Sequence, residues 1–273
     1  MSEANETTLE DKYEAETVAN DDLKDRTVAS EPHEQPATLL RHMYAALLAA
    51  YGPQQWWPAE TSLEVIIGAY LTQNTSWRAV EKSVENLRSA NALSLEGLRT
   101  ISEESLQLLI RPSGFMQRKA LSIKAFVRFL DHEYEGSLIR FSSQDTTKAR
   151  KQLLTLPGVG PETADAILLY ALGHPVIVVD EYLRRVVTRH SLAHEEARYA
   201  EIQQLATRAF DEDDAASLAQ HYNEFHALVV ELGKQHCRRQ PQCHGCPLSK
   251  AAFHPPHLSN GNPEQVRSAA TRR

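Results

Sequence analysis

The chain has 273 residues, a formal net charge of −7 and 42% hydrophobic residues, enough for one large core or two small ones and too apolar for a wholly disordered chain. No apolar run reaches the roughly 20 residues that a membrane-spanning helix needs, and the acidic start lacks the apolar stretch of a secretory signal. Three closely spaced cysteines suit a reducing cytoplasm better than a disulfide scaffold.

The charge is unevenly spread. Residues 1–37 hold eleven acidic side chains against three basic ones, net −8, which leaves +1 for residues 38–273. That first segment reads as a disordered acidic tail. Residues 254–273, with Pro255, Pro256, Asn260, Gly261, Asn262 and Pro263, read as a second unstructured tail. The body, residues 38–253, is nearly neutral, so charge neither requires nor excludes a nucleic-acid partner.

Along that body the apolar pattern is helical. Leu39, Leu40, Met43, Leu47 and Leu48 recur at three- and four-residue spacing. Ser62 is placed to cap a helix carrying Val65, Ile66, Ala69 and Tyr70. Leu121, Ile123, Ala125, Phe126 and Phe129 fill another helix, and Leu218 to Leu232 a further one. Val176 to Val179 is the one β-like stretch, too short and isolated to build a sheet. The expected fold class is all-α.

The sharpest local signal is LPGVGPETADAILLYAL, Leu156 to Leu172. A helix should end before Pro157, and a tight turn holds Gly158, Val159 and Gly160. Pro161 then opens a new helix, where its missing N–H leaves nothing unpaired. The glycines let the main chain approach a ligand closely. The amides of a helix start suit a phosphate, a contact that positions a protein on a duplex without reading sequence. Next comes HPVIVVDEYLRRV, which places Asp180 behind a buried extended segment and at the start of a helix. As an N-cap it would accept backbone N–H bonds that favour the carboxylate form. That form can stabilise a developing oxocarbenium ion or orient a water.

The run from Leu156 to Val186 closely resembles the helix-hairpin-helix plus Gly-Pro-Asp signature of the endonuclease III superfamily of DNA glycosylases, and the resemblance extends from about Gly52 to Leu248. It implies a two-lobed helical glycosylase fold and a damaged base flipped out of double-stranded DNA. It also implies a catalytic Asp180, and Leu156, Gly158, Val159 and Gly160 as the strand-gripping hairpin. The fold needs no partner subunit. Members that also cut the backbone carry a lysine two residues after the second hairpin glycine. This chain has Glu162 there, and a carboxylate cannot form a Schiff base with the sugar. A monofunctional enzyme with water as nucleophile is therefore expected. The other readings are an endonuclease III-like glycosylase of oxidised or mismatched bases, with or without lyase activity, and a non-catalytic DNA-binding module.

WWP at Trp56 to Pro58, LTQNT at Leu71 to Thr75 and RPSGF at Arg111 to Phe115 are similar to the bacterial 3-methyladenine DNA glycosylase III branch. That likeness implies a base pocket of Trp56, Trp57, Pro58 and Trp77, and a gap-filling role for Gln73. A purine alkylated at N3 or N7 is cationic, and indole faces attract such a cation by roughly 1–2 kcal/mol when water is excluded. Arg118, Lys119, Arg184 and Arg185 are read as solvated or phosphate-contacting, and His226 as a core histidine.

Cys237, Cys243 and Cys246 form a C-x5-C-x2-C pattern that suits an iron–sulfur cluster or, less well, zinc. Endonuclease III relatives hold a 4Fe–4S cluster here with four cysteines. The fourth is missing near Ala252, and His254 is the nearest substitute ligand.

Overall fold

The computed structural model describes residues 35–253, except Gln55, Trp57, Pro58 and Glu212 and the side chain of Ala251. The expected tails, residues 1–34 and 254–273, and the candidate ligand His254 lie outside the described residues. Every regular element among the described residues is helical, as the apolar periodicity requires.

Helix α1 (Pro36–Tyr51) starts on a proline at its first turn, just inside the segment expected to be tail. Helix α2 (Ser62–Thr72) is capped by Thr61 and not by Ser62. Thr61 Oγ1 accepts from Glu64 N at 3.2 Å, and Ser62 already lies in the first turn. From Leu63 to Leu71 every residue of α2 is buried, so the helix is enclosed on all sides. Its one buried charge, Glu64, is paired with Arg88 at 2.8 Å. Around α2 wrap α3 (Trp77–Ser89), α4 (Leu95–Thr100), α5 (Glu103–Leu109), a 3-10 turn at Arg111–Ser113, α6 (Met116–Tyr134), α7 (Leu138–Ser142) and α8 (Thr146–Leu153). Helix α9 (Pro161–Ala166) runs straight into a π-helical turn, Ile167–Ala171. Then follow α10 (Glu181–Arg189), α11 (Tyr199–Arg208) and α12 (Leu218–Gln235).

These helices enclose two cores. The first gathers α2 to α9 around Ile66, Tyr70, Leu87, Phe126 and Phe141. The second joins α1 to α10, α11 and α12 around Met43, Leu47, Phe210, Phe225 and Leu228. Each fully buried Leu, Ile or Phe contributes about 1.5–3 kcal/mol. The chain passes from one core to the other twice, through residues 52–61 and through residues 174–180. The π turn straddles the boundary, with Ile167 and Leu168 in the first core and Leu169 in the second.

The second crossing explains the β-like stretch. Val176 faces the first core while Ile177, Val178 and Val179 enter the second. All four are buried, and among the described residues no strand pairs with them. A buried polar cluster holds them in place. Asp165, fully enclosed, accepts from Arg150 Nε at 2.6 Å and Nη2 at 3.0 Å, from Tyr199 Oη at 2.8 Å and from Gln203 Nε2 at 2.8 Å. The Tyr199 oxygen in turn accepts from Val179 N at 3.2 Å, and Gln203 Nε2 also donates to Ile177 O at 2.8 Å. One carboxylate thus ties the hairpin helix to the crossing that ends in Asp180. Such a buried charge is tolerable because each oxygen is paired.

Candidate active site

Both crossings deliver a predicted functional residue. The 174–180 segment ends at Asp180, whose extended backbone caps α10 and whose Oδ1 accepts from Leu183 N at 2.7 Å. The carboxylate is neither sealed in nor free: its side chain is 11% exposed. Its other oxygen, Oδ2, lies 3.5 Å from Nε2 of His226 on α12. The Nδ1 of that imidazole is 2.5 Å from the Tyr170 hydroxyl on the π turn. Insertions of this π type recur at functional sites, and here Tyr170, carried on the turn, reaches His226 of α12.

The 52–61 crossing brings Trp56 to the same place. Its ring meets Tyr170 edge-on at 5.9 Å and His226 at 5.7 Å with planes 32° apart, and Lys234 lies over it at 5.6 Å. The loop is anchored by Glu224 Oε1, which accepts from Gln54 N at 2.5 Å. Trp57 and Pro58 lie outside the described residues. Trp77 stands elsewhere, on the first turn of α3, where it packs against the first core and donates from Nε1 to Glu81 at 2.8 Å. It lines an outer groove of that lobe with Arg78, Lys82 and Arg88, whose walls include neither Asp180 nor the hairpin.

The hairpin has the expected form. Gly158 takes φ +75°, and a Cβ there would meet Ser122 Oγ at 2.6 Å, so glycine is needed on both counts. A Cβ on Gly160 would meet nothing, which leaves the main chain at the start of α9 open to approach. Leu156 is half-buried against the first core and Val159 is buried within it. Their side chains hold the turn, and Val159 N already donates to Leu156 O at 3.2 Å. Any grip on a strand by this turn therefore falls to backbone at Gly158 and Gly160.

Glu162, two residues beyond Gly160, links hairpin and aspartate. Its side chain is exposed at the surface, yet its carboxyl is raised above the usual range. Desolvation by the surrounding protein is the largest cause. The negative charge of Asp180 raises it further, His226 opposes this, and Glu181 adds to it. The four groups thus lie near enough to feel one another's charge. Tyr170 is raised well above the ordinary phenol range by burial, then by the charges of Asp180 and Glu224.

Gln73 ends α2 and folds onto the hairpin: Nε2 donates to Gly158 O at 2.8 Å and to Thr163 Oγ1 at 3.0 Å. The next residue, Asn74, is left-handed (φ 50°), a conformation asparagine tolerates. The bend lets Thr75 Oγ1 donate to Ser113 O at 2.6 Å. Lys119, read from sequence as a surface cation, is buried beneath this junction. Its Nζ donates to Leu71 O at 2.8 Å, Thr75 Oγ1 at 2.7 Å and Ser113 O at 2.7 Å, and burial pulls its pKa down to about 8. It cannot reach a phosphate. Arg184 donates to Ala197 O at 2.5 Å, and Arg185 stacks on Tyr182 at 4.9 Å. Phe115 was not singled out by sequence reasoning. It is 59% exposed beside the Gln73 junction on left-handed backbone, φ 47°.

His226 is the main correction. A histidine among the apolar residues of α12 has no distinguishing pattern, and the reading of it as core is half right: it is buried. Its neighbours are Asp180, Tyr170 and Trp56, residues at least 46 positions away that only the folded chain collects.

The cysteine loop follows α12. Cys237 is buried, Cys243 exposed and Cys246 half-buried. Burial raises the Cys246 thiol first, and Cys243 and Cys237 lie near enough to raise it further. Arg189 donates to Cys237 Sγ at 3.1 Å and to the carbonyls of Arg238 at 2.7 Å and Arg239 at 2.9 Å. Among the described residues no three His, Cys, Asp or Glu side chains are grouped to hold a metal ion. The described donor set does not fit a 4Fe–4S cluster: it offers three thiols, one of them engaged by a guanidinium, where four ligands are needed.

A family model described as HhH-GPD superfamily base excision DNA repair protein matches residues 67–212, a span that contains the hairpin, the second crossing and Asp180. The chain belongs to this superfamily, and it is an endonuclease III-like DNA N-glycosylase. Among its relatives, the putative DNA repair glycosylase MJ1434 of Methanocaldococcus jannaschii is 39% identical over 218 residues, covering 80% of this chain and 97% of that one. Among solved structures, H. pylori 3-methyladenine DNA glycosylase (MagIII) bound to 1,N6-ethenoadenine is 32% identical with a TM-score of 0.64, covering 74% of this chain and 98% of that one. An endonuclease III–DNA complex, 22% identical with a TM-score of 0.66 over 85% of this chain and 98% of that one, shows the same fold. No helix among the described residues is long and apolar enough to cross a membrane.

Proposed function

We propose that the chain is a monofunctional glycosylase that hydrolyses the N-glycosidic bond of alkylated purines, such as 3-methyladenine, in double-stranded DNA. The observation that carries this is Asp180, held part-exposed at the start of α10, in a chain whose hairpin is followed by Glu162 and not by an amine. Asp180 is fixed by the start of α10 and can stabilise positive charge on the sugar as the base departs, or orient the attacking water. Glu162 occupies the place where an amine would be needed for a covalent adduct.

The cleft favours a cationic base. Asp180, Glu162, Glu181 and Glu224 give it a negative field, and Trp56 supplies an aromatic wall. By the resemblance of their motifs Trp57, Pro58 and Trp77 are assigned to the base pocket as well, although Trp77 stands on α3 among residues that do not include Asp180. Gly158 and Gly160 would hold the DNA backbone, with Gln73 entering the gap left by the everted base. Filling that gap offsets part of the few kcal/mol that unstacking costs. The proposed enzyme is a monomer acting in the cytoplasm, without a metal in its chemistry.

Duplexes carrying 3-methyladenine, 7-methylguanine or thymine glycol test the reading, with base release and strand cleavage scored separately. Release of an alkylated purine without strand cleavage is expected. Asp180→Asn should lose at least about a hundredfold in rate while binding DNA. Release of thymine glycol with borohydride-trappable adduct would replace this reading by the endonuclease III-like one, and full turnover by Asp180→Asn would remove the catalytic assignment.

A further inference from the structure

His226 is buried, and each face of its imidazole environment is defined. Nδ1 lies 2.5 Å from Tyr170 Oη, Nε2 lies 3.5 Å from Asp180 Oδ2, and the Trp56 indole lies over the ring at 5.7 Å. The 3.5 Å separation is longer than a good hydrogen bond, and among the described residues Nε2 has no hydrogen-bond partner. A buried nitrogen in that state is costly, and catalytic hydrogen bonds that are long in a free enzyme commonly tighten when substrate fills the site. Tyr170 sets the tautomer. Burial, with the charges of Asp180 and Glu224, keeps its hydroxyl protonated, so the O–H donates to Nδ1. The single proton of a neutral ring then sits on Nε2, facing the carboxylate.

We infer that His226 is a positioning residue for Asp180, the middle member of a Tyr170–His226–Asp180 chain that fixes one carboxylate oxygen while Leu183 N fixes the other. The inference rests on the reading of Asp180 as the catalytic carboxylate. Two rigid donors set the plane of the carboxylate and leave its remaining lone pairs turned to the cleft. A neutral ring that donates from Nε2 would orient Asp180 without cancelling the charge that stabilises the developing oxocarbenium sugar.

The charged and titratable groups around the ring all bear on this. Asp180 comes from the second crossing, Glu162 from α9 and Tyr170 from the π turn, with Glu181 opening α10. Glu224 lies on the same helix as His226, and Lys234 lies over Trp56.

The test is single-turnover base release on whichever damaged duplex the native enzyme processes. The Kd for a duplex with a tetrahydrofuran abasic analogue and the thermal midpoint are measured alongside. His226→Leu removes the bond to Tyr170 and the contact with Asp180. Its release rate should fall about 10- to 100-fold, the usual loss when a group supporting a reacting ligand is removed, with Kd changed less than about twofold. His226→Gln puts an amide donor near Nε2 and should recover most of the rate. Tyr170→Phe removes the donor that sets the tautomer and should slow release with Kd again little changed. A His226→Leu enzyme within twofold of native rate, or a His226→Gln enzyme no faster than His226→Leu, overturns the inference. If His226→Leu does not fold, Tyr170→Phe decides: slower release at unchanged Kd supports the relay, and the native rate overturns it. Full activity of Asp180→Asn is a separate outcome, one that removes the parent reading whatever His226 does.

Discussion

The side-chain amide of Gln73 donates to the carbonyl of Gly158 at 2.8 Å, joining the end of α2 to the hairpin across 85 residues of sequence. A second bond, to Thr163 Oγ1 at 3.0 Å, fixes the amide plane. The residue proposed to fill the vacated base stack is thus held against the loop proposed to hold the backbone. Replacing Gln73 by Ala should cost less than about 1.5 kcal/mol of stability, since both partners can find water. Single-turnover base release should fall about tenfold, corresponding to a lost interaction of about 1.4 kcal/mol in the transition state. Release at the native rate would leave Gln73 a purely structural clasp.

Glu162 makes stability depend on pH in a defined sense. Its carboxyl is raised in the folded state, by desolvation first and by Asp180 next, so the folded chain binds its proton more tightly than the unfolded one. Its contribution is most favourable below the ordinary glutamate range and is lost as pH rises through the folded value. Glu162→Gln should therefore unfold at a higher temperature than the native protein at pH 8, with the advantage shrinking towards pH 4. Thermal melts across that range check it, and a gap that widens on acidification would contradict the sign.

Tyr199 links two distant parts of the site. Its oxygen accepts from Val179 N at 3.2 Å, and its O–H donates to the buried Asp165 at 2.8 Å. Tyr199→Phe leaves Val179 N unpaired and takes one donor from a buried carboxylate. A loss of about 1–3 kcal/mol in unfolding free energy is expected. Amide exchange at Val179 and Asp180 should accelerate more than at the core of α2. Uniform acceleration would mean that Tyr199 serves global stability alone.

Phe115 is exposed on backbone with φ 47°, next to Gly114 at φ 66°. The strain of a non-glycine residue there is about 1–2 kcal/mol. Phe115→Gly should raise the unfolding free energy by up to about that amount. If the ring meets the duplex beside Gln73, the same variant should bind damaged DNA more weakly, by roughly 1–3 kcal/mol for a lost aromatic–base stack. A stabilised variant with native DNA affinity would show that the ring has no part in binding.

For the cysteine loop, the engagement of Cys237 by Arg189 predicts a colourless protein whose base release is unaffected by iron chelators. Iron and sulfide assays with a visible spectrum are the check. About four iron atoms per chain with a thiolate-to-iron band would show that residues beyond those described complete a cluster.

Much of this site was legible in order along the chain. Helix periodicity, Pro161 at a helix start and the glycine pair state local preferences, and local preferences survive in the fold: Gly158 does adopt the left-handed angle that its place in the turn demands. Asp180 was recognisable because capping is a property of a few adjacent residues, and it does cap α10. The apolar Val176–Val179 run was visible too, though its place at the crossing between two cores was not.

The sequence by itself determined the all-helical class, the hairpin turn and the capping position of Asp180, because each depends on backbone and neighbours within a turn or two. Only the tertiary structure decided that Lys119 is caged beneath the Gln73 turn, that Trp77 packs against the first core away from Asp180, and that His226 lies between Tyr170 and Asp180. Those outcomes depend on which helix faces cross and on which buried polar atoms then find partners, and apolar periodicity treats every residue on a buried face alike.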